Sequence, residues 1–165
     1  VRVPAAGVAG DWLTAAGGAD AEVVLAAAGG QPIEARDRLA AGIDAAGWRR
    51  LPREVRAGQV ATLAAWPLPL AIDALQKLCH DSLVVAVGAP PRYFAPADIP
   101  GGGDVARLVA CAAELRASAR HAEHPWNTGL GIEALVSRVA RALRAPNAAA
   151  TGAGSTAAAL ATLKR

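Results

Sequence analysis

The segment from Pro67 to Phe94, PLPLAIDALQKLCHDSLVVAVGAPPRYF, constrains the fold more than any other part of this sequence. Its apolar residues recur at steps of three and four: Leu68, Ile72, Leu75, Cys79, Leu83 and Ala86. Its polar residues fall on the opposite side: Asp73, Gln76, Lys77, His80 and Asp81. This spacing predicts an amphipathic helix over Pro67–Val87. Lys77 lies one turn from both Asp73 and Asp81, so we expect it to pair with them. The helix is interpreted as a packing element without a reaction centre.

A short loop with aromatic and basic residues follows this helix. Gly88 ends the helix, and Pro90 with Pro91 prevents it from resuming. The residues that could anchor a partner are Arg92, Tyr93, Phe94 and, farther along, Trp126. Arg, Tyr and Trp dominate interface energetics, which favours a contact surface. The same aromatic side chains could instead close the core between helices, and the sequence leaves both readings open.

The composition favours an all-α fold. Hydrophobic residues make up 53% of the 165 residues but aromatic residues only 4%, a mixture that suits closely packed helices better than a sheet. Charges, Gly and Pro interrupt every apolar run before it reaches the length of a membrane span. The first ten residues lack the pattern of a signal peptide. We therefore expect a cytoplasmic, antiparallel helical bundle with no membrane association.

Residues 1–46 are expected to form three short helices that resemble the end of a larger domain. The predicted helices are Asp11–Ala16, then Ala21–Ala28 with Asp20 as its N-cap and Gly29-Gly30 as its terminator, then a helix from Pro32 to about Ala41.

Residues 48–145 are expected to form a bundle of longer helices. Pro52 is predicted to begin a helix that ends at Ala65, although Gly58 lies inside it. After the Pro67–Val87 helix, Asp104 is predicted to cap a helix with one apolar stripe: Val105, Leu108, Ala112, Leu115 and Ala119. Pro125 should break that helix, and Asn127 should cap a last one with these inward residues: Ile132, Leu135, Val136, Val139 and Leu143. Residues 146–165 are rich in small residues and predicted to be disordered.

Catalytic and metal-binding signatures are weak in this chain. It contains no GxxxxGK[ST], G-x-S-x-G or H-E-x-x-H motif, and Gly101-Gly102-Gly103 is interpreted as a flexible linker. His121 and His124 precede Pro125 and so do not share a stable helical face. Cys79 and Cys111 are interpreted as small buried hydrophobic residues in a reducing cytosol. We predict no catalytic, cofactor or metal site.

The densest basic cluster lies between residues 49 and 56. Its arginines are Arg49, Arg50, Arg53 and Arg56. A phosphate-binding helix end is one reading. No aromatic residue interleaves with the arginines and Glu54 interrupts them, so a solvated face is the preferred reading.

Three segments together resemble the delta-prime subunit of the bacterial DNA polymerase III clamp loader. They are DWLTAAGGADAEVVLAAAGGQPIEA at 11–35, ALQKLCHDSLVVAVGAPPRYF at 74–94 and AEHPWNTGLGIEALVSRVARAL at 122–143. With their spacing they cover nearly all of residues 11–145. At Trp126 that family more often has leucine.

The resemblance implies a non-catalytic role. Residues 1–46 would be the end of an AAA+ lid domain, and 48–145 the helical collar domain that binds the delta and tau/gamma subunits. DNA would be contacted only indirectly, with no cofactor or small-molecule substrate. The ATP-hydrolysing subunits carry a phosphate-sensing arginine at the start of the lid helix after the glycine turn, whereas this chain has none before Arg36.

Val84 is a further candidate for the subunit interface. It continues the polar face beyond Asp81 and leaves an apolar spot near the helix end. Substitution of Val84 by Glu should leave the domain folded but weaken assembly. Three other readings remain: a stand-alone helical adaptor, a nucleic-acid binder that uses Arg49–Arg56, and a metal hydrolase.

Overall fold

A computed structural model describes residues 20–120 and 128–144 of the chain, and this part contains only helices and loops. The α-helices are α1 (Ala21–Ala27), α2 (Pro32–Ala40), α3 (Ala45–Ala57), α4 (Leu68–Ala86), α5 (Val105–Ala119) and α6 (Thr128–Leu143). Two short 3₁₀ turns occupy Leu63–Ala65 and Pro96–Asp98. Helices α4, α5 and α6 pack against one another, and α3 packs against α6. The predicted all-α bundle is confirmed.

The interior consists of a large core and a small one. The large core is built around fully buried side chains of α3 to α6, among them Trp48, Leu51, Leu75, Leu78, Leu108, Leu115 and Leu143. The small core joins α1, α2 and the first residue of α3, and its buried residues are Ala21, Val24, Leu25, Ala28, Ala35 and Ala45. Since four of these six are alanines, the small core buries little apolar area.

Several helix boundaries follow from local sequence signals. Gly29 and Gly30 adopt positive φ and end α1, as predicted, and Pro32 is the first residue of α2. Asp104 caps α5, because its side chain accepts a hydrogen bond from the backbone N–H of Arg107 at 2.8 Å.

The predicted cap at Asp20 is wrong. Asp20 precedes α1 with a φ of 67°, and its side chain makes no capping hydrogen bond. Its two carboxylate oxygens instead accept from Arg49 at 2.8 and 2.9 Å. The Asp20 carboxylate therefore pairs with Arg49 and does not accept a hydrogen bond from the backbone N–H groups at the start of α1.

The predicted start of a helix at Pro52 is also wrong. Pro52 lies buried inside α3, which begins after Asp44 and ends at Gly58. Asp44 caps the helix through the N–H of Gly47, and Gly58 adopts a φ of 78°. Residues 46–48, where the sequence was divided into two domains, lie within this helix.

The inward faces of the long helices match the predicted stripes in part. All five apolar residues predicted to point inward from α6 are buried. In α4 the stripe is buried at its centre, but Ala86 is exposed. In α5, Val105 and Ala119 are exposed, and Cys111 joins Leu108 and Leu115 in the core. The inward stripe of α5 therefore lies farther round the helix than predicted.

The predicted helix at Asp11–Ala16, the break at Pro125, the cap at Asn127 and the tail 146–165 lie outside the described residues. Among the helices that the structure describes, none combines the length and apolarity required to cross a membrane.

Candidate docking face

The loop after α4 is held in place by the carboxylate of Asp81. This side chain has no exposed surface, and it accepts hydrogen bonds from three consecutive backbone N–H groups. The N–H of Arg92 lies 3.0 Å from Oδ1, and those of Tyr93 and Phe94 lie 2.7 and 2.9 Å from Oδ2. His80 Nδ1 lies 2.9 Å from Oδ1. The expected pair between Lys77 and Asp81 is therefore wrong, because Asp81 faces the loop.

Phe94 belongs to the core. Its ring stacks on the Trp48 ring, and the two ring centroids are 4.6 Å apart. The rings of Trp48 and Trp66 are also stacked, with centroids 6.2 Å apart. The indole N–H of Trp48 donates to the backbone carbonyl of Tyr93 at 2.9 Å. Of the two readings of this loop, closing the core is the one that Phe94 satisfies.

Arg92 and Lys77 attach this loop and α4 to the end of α1. Lys77 Nζ donates to the carbonyl of Ala27 at 2.6 Å and to Asp73 at 2.8 Å, which confirms the second expected pair of Lys77. Arg92 donates to the carbonyl of Gly29 at 3.2 Å. The half-buried ring of Tyr93 lies near both cations, with its centroid 5.2 Å from Lys77 Nζ and 5.4 Å from Arg92 Cζ. Burial lowers the pKa of Lys77, although the hydrogen bond to Asp73 and the charge of that carboxylate act in the opposite direction. These contacts join the small core to the large one.

The two remaining interface candidates are Val84 and Trp126. Val84 is half-buried near the end of α4, and its carbonyl accepts from Ala89 N at 3.0 Å. Trp126 lies outside the described residues.

A broad apolar surface covers the outside of α5. It is formed by Val105, Ala106, Val109, Ala110, Ala113 and Ala117, all of them exposed. The two valines are 45% and 53% exposed. At 100° per residue these six positions span an arc of about 140°, opposite the buried residues of the same helix. We name these six residues the docking face.

The docking face makes α5 apolar on both sides along its first turns. Between Val105 and Ala113 the only charged residue is Arg107. A helix that is apolar all round is usually covered on all sides. Beyond Ala113 the charges gather toward the C-terminal end, where Arg116 and Arg120 are exposed and Glu114 pairs with Arg138 at 3.3 Å. The arrangement suits contact with an apolar helix that carries a carboxylate at one end.

The arginine cluster on α3 makes mostly intramolecular contacts. Arg49 holds Asp20, Arg50 pairs with Glu54 at 3.5 Å, and Arg56 donates to the carbonyl of Gly101 at 2.6 Å. The hydrogen bond to Asp20 raises the pKa of Arg49, and the same bond lowers the pKa of Asp20.

The glycine run before α5 is packed against the bundle at its last residue. A Cβ built on Gly103 would lie 2.8 Å from Leu108 Cδ1, and the N–H of Asp104 donates to the carbonyl of Ala142 at 3.3 Å. The interpretation as a flexible linker is therefore wrong for Gly103, which the close approach of Leu108 favours as glycine.

Metal ligands do not gather in the described ranges. Within 20–120 and 128–144, no three His, Cys, Asp or Glu side chains lie close enough together to hold an ion. The histidines at 121 and 124 are outside these ranges.

Comparisons with protein families, with curated proteins and with solved structures find no match for this chain.

Two features of this region escaped sequence reasoning. Asp81 fits the polar face of a helix by spacing alone, and only the return of the loop shows its burial. The docking face was missed because Val105 was assigned to the inner stripe. The run VARLVACAA, with one charge in nine residues, was the signal that could have revealed it.

Proposed function

We propose that this chain is a non-catalytic part of a bacterial clamp loader, in which residues 48–145 act as a collar domain and residues 1–46 as the end of a lid. The collar would bind sister subunits of the delta and tau/gamma type in the cytoplasm and so support loading of the sliding clamp onto primed DNA. The resemblance of three segments to the delta-prime subunit supports this identity. The docking face of α5 is the single structural observation that carries it, because a scaffold subunit needs an apolar surface for its neighbours.

The packing around α5 suits a rigid scaffold. Leu108 and Leu115 have almost no exposed surface and pack the inner side of α5 into the large core. The neighbouring α4 is fixed through Asp81 to the loop that stacks on Trp48. A face held on such a support loses little conformational freedom when it binds, which favours affinity.

The occupant to which we commit is a helix of a neighbouring loader subunit. Its small and apolar side chains would fit the alanines and valines of the docking face. A carboxylate near Arg116 and Arg120 would fix its register through charge complementarity. DNA would be reached only through the assembled ring.

A stand-alone helical adaptor is the second candidate, since the same face would serve it. The two functions differ in their partner. Only a clamp-loader fragment should bind delta and tau/gamma subunits of a loader.

The test measures binding of the purified chain to these loader subunits by size-exclusion chromatography and interferometry. Val109→Glu places a charge at the centre of the docking face, and we expect it to weaken binding about tenfold or more, because the carboxylate would be buried against apolar groups. Ile33→Glu is the matched control, since Ile33 is 66% exposed and lies on α2, outside the docking face. Val84→Glu tests the second predicted contact.

Circular dichroism should show the same helix content in all three variants. Equal affinity of Val109→Glu and Ile33→Glu would exclude the docking face as the contact. Failure of the unmodified chain to bind any loader subunit would contradict the clamp-loader function itself.

A further inference from the structure

Four alanines of the docking face have the spacing of a helix that pairs with another helix. Ala106, Ala110, Ala113 and Ala117 are exposed and recur at steps of four, three and four. This is the spacing of the central seam of a coiled coil. The buried residues of α5 lie on the opposite side of the helix, so a second helix can contact the alanines without disturbing the bundle. Because alanine is small, the two helix axes can approach closely.

Residues of opposite charge border this seam on one side. At 100° per residue, Arg107 and Glu114 lie within about 20° of each other along the helix surface, on the edge beside α6. Glu114 contacts Arg138 at 3.3 Å, yet its side chain remains 55% exposed. Arg107 is exposed as well. Both charges are therefore accessible to a second chain. Val109 and Arg116 border the seam on its other side.

The order of these charges fits a second copy of α5 that runs antiparallel to the first. In that arrangement Ala110 and Ala106 of one copy face Ala113 and Ala117 of the other. Arg107 of each copy then lies beside Glu114 of the other copy, so the two-fold axis creates two ion pairs.

A parallel arrangement lacks this complementarity. It places Val109 of one copy beside Glu114 of the other and gives Arg107 no carboxylate. The charges therefore favour the antiparallel pair.

We propose that the chain forms a symmetric homodimer through the docking face, in which α5 pairs antiparallel with α5 of a second copy. This inference concerns the chain by itself and is independent of the clamp-loader function. In a loader, a sister subunit would displace the second copy from the same face. The residues that follow α6 are a poorer occupant, because positions 145–165 contain no Asp or Glu to pair with Arg107 or Arg116.

The dimer should be weak and its geometry specific. A contact between two single helices is small, so we expect a dissociation constant in the micromolar range. Exposed ion pairs add little affinity, but they determine orientation and the choice of partner. Salt screens them, so the preference for matched charges should decrease as ionic strength rises.

The experiment uses two charge-reversal variants of the full chain, Arg107→Glu and Glu114→Arg. In a homodimer of either variant, like charges meet at both ion-pair positions, and we expect its dissociation constant to rise about tenfold. In a mixed dimer with one chain of each variant, opposite charges meet at both positions. An equimolar mixture should therefore dimerise about as well as the unmodified chain. Sedimentation equilibrium measures the affinities, and native mass spectrometry distinguishes mixed dimers from homodimers.

Two further variants test the surface itself. Val109→Glu should strongly weaken the dimer, because its carboxylate would be buried against apolar groups. Arg36→Glu is the matched control for charge reversal, since Arg36 is exposed on α2, outside the docking face, and the substitution should leave the dissociation constant unchanged. Circular dichroism verifies that every variant keeps its helix content.

Three results would overturn the proposal. They are a chain that stays monomeric at about 1 mM, a dimer that Val109→Glu does not weaken, and a mixture of the charge-reversal variants that dimerises no better than each variant alone. Binding to loader subunits is measured separately, so any of these results would leave the test of the clamp-loader function intact.

Discussion

Asp81 shows how one side chain fixes a whole loop. Its carboxylate has no contact with solvent and is the acceptor for three successive backbone N–H groups. Hydrogen bonds to a charged acceptor are stronger than neutral ones, and donors left without a partner in the interior carry a large penalty. The position of Phe94 against Trp48 depends on this arrangement.

We predict that Asp81→Asn destabilises the protein by about 2–4 kcal/mol, because the amide offers one acceptor oxygen and turns an NH₂ group toward backbone donors. Urea denaturation followed by circular dichroism measures the change. Asp37→Asn is the control, since Asp37 is exposed and pairs with its neighbour Arg36. Its effect should stay within about 0.5 kcal/mol. Equal effects of the two substitutions would show that the loop does not depend on the Asp81 carboxylate.

The pair between Asp20 and Arg49 should make stability depend on pH at the acidic end. The hydrogen bond from Arg49 holds the pKa of Asp20 below its ordinary value of 3.8. A carboxylate whose pKa is lower in the folded state stabilises that state above the unfolded pKa, and the stabilisation disappears as pH falls through the folded pKa. Asp20→Asn should therefore lower the urea midpoint at neutral pH, and the difference from the unmodified chain should shrink below pH 3.8. A difference that stays constant down to pH 2 would contradict this assignment, as would one insensitive to salt at neutral pH.

At the scale of helices, glycines define boundaries in one place and weaken a helix in another. Gly58 ends α3 with a φ of 78°, a conformation that side chains strain. Gly131 lies inside α6, and a Cβ added there would meet no neighbouring atom within 4 Å.

Two substitutions of the same chemistry should consequently have opposite signs. We expect Gly58→Ala to destabilise the protein by about 1 kcal/mol, because alanine resists the left-handed conformation. Gly131→Ala should stabilise it by about 0.5–1 kcal/mol, because alanine is the better helix former. Thermal unfolding of both variants side by side gives the comparison. A gain at Gly58 or a loss at Gly131 would contradict the boundary assigned to the corresponding helix.

The success of sequence reasoning varied with the kind of signal in each helix. The amphipathic spacing of α4 and α6 is regular over more than four turns, so the extents of both helices and most buried residues of α6 were predictable. In α4 the predicted stripe contains only Ile72, Leu75 and Cys79 among the buried residues. In α3, Pro52 resembled a helix start because Pro is favoured there, yet tertiary burial places it inside the helix. In α5, alanine on every side left the direction of the inner stripe undetermined. The docking face depends on that direction, so only the packed structure shows it.

At the scale of the whole molecule, α3 connects two cores of unequal strength. Its first residue, Ala45, lies in the small core, and Trp48 lies in the large one. The small core contains mostly alanine, and α1 has only seven residues. Polar contacts with the bundle also hold the helices of the small core in place. One of them is the ion pair between buried Arg38 on α2 and Asp73 on α4, at 2.7 Å.

We predict that α1 and α2 open before the bundle does. Native-state hydrogen exchange should give the amides of Leu25 and Ala35 a smaller opening free energy than those of Leu75 and Leu78, because less apolar area is lost when the small core opens. A lower protection of α1 and α2 would support a lid-like unit beside a more stable bundle. Identical opening free energies in all four amides would mean that the described chain unfolds as one cooperative unit.

The reactivity of the Lys77 amine can be used to measure how often α1 separates from α4. Lys77 and Lys164 are the only lysines in the chain, and the Lys77 Nζ is occupied by the carbonyl of Ala27 and the carboxylate of Asp73. Acylating reagents need a free, unprotonated amine, so modification at residue 77 must await release of that carbonyl. The rate at which its peptide gains an acetyl group therefore reports how often the first helix leaves the bundle.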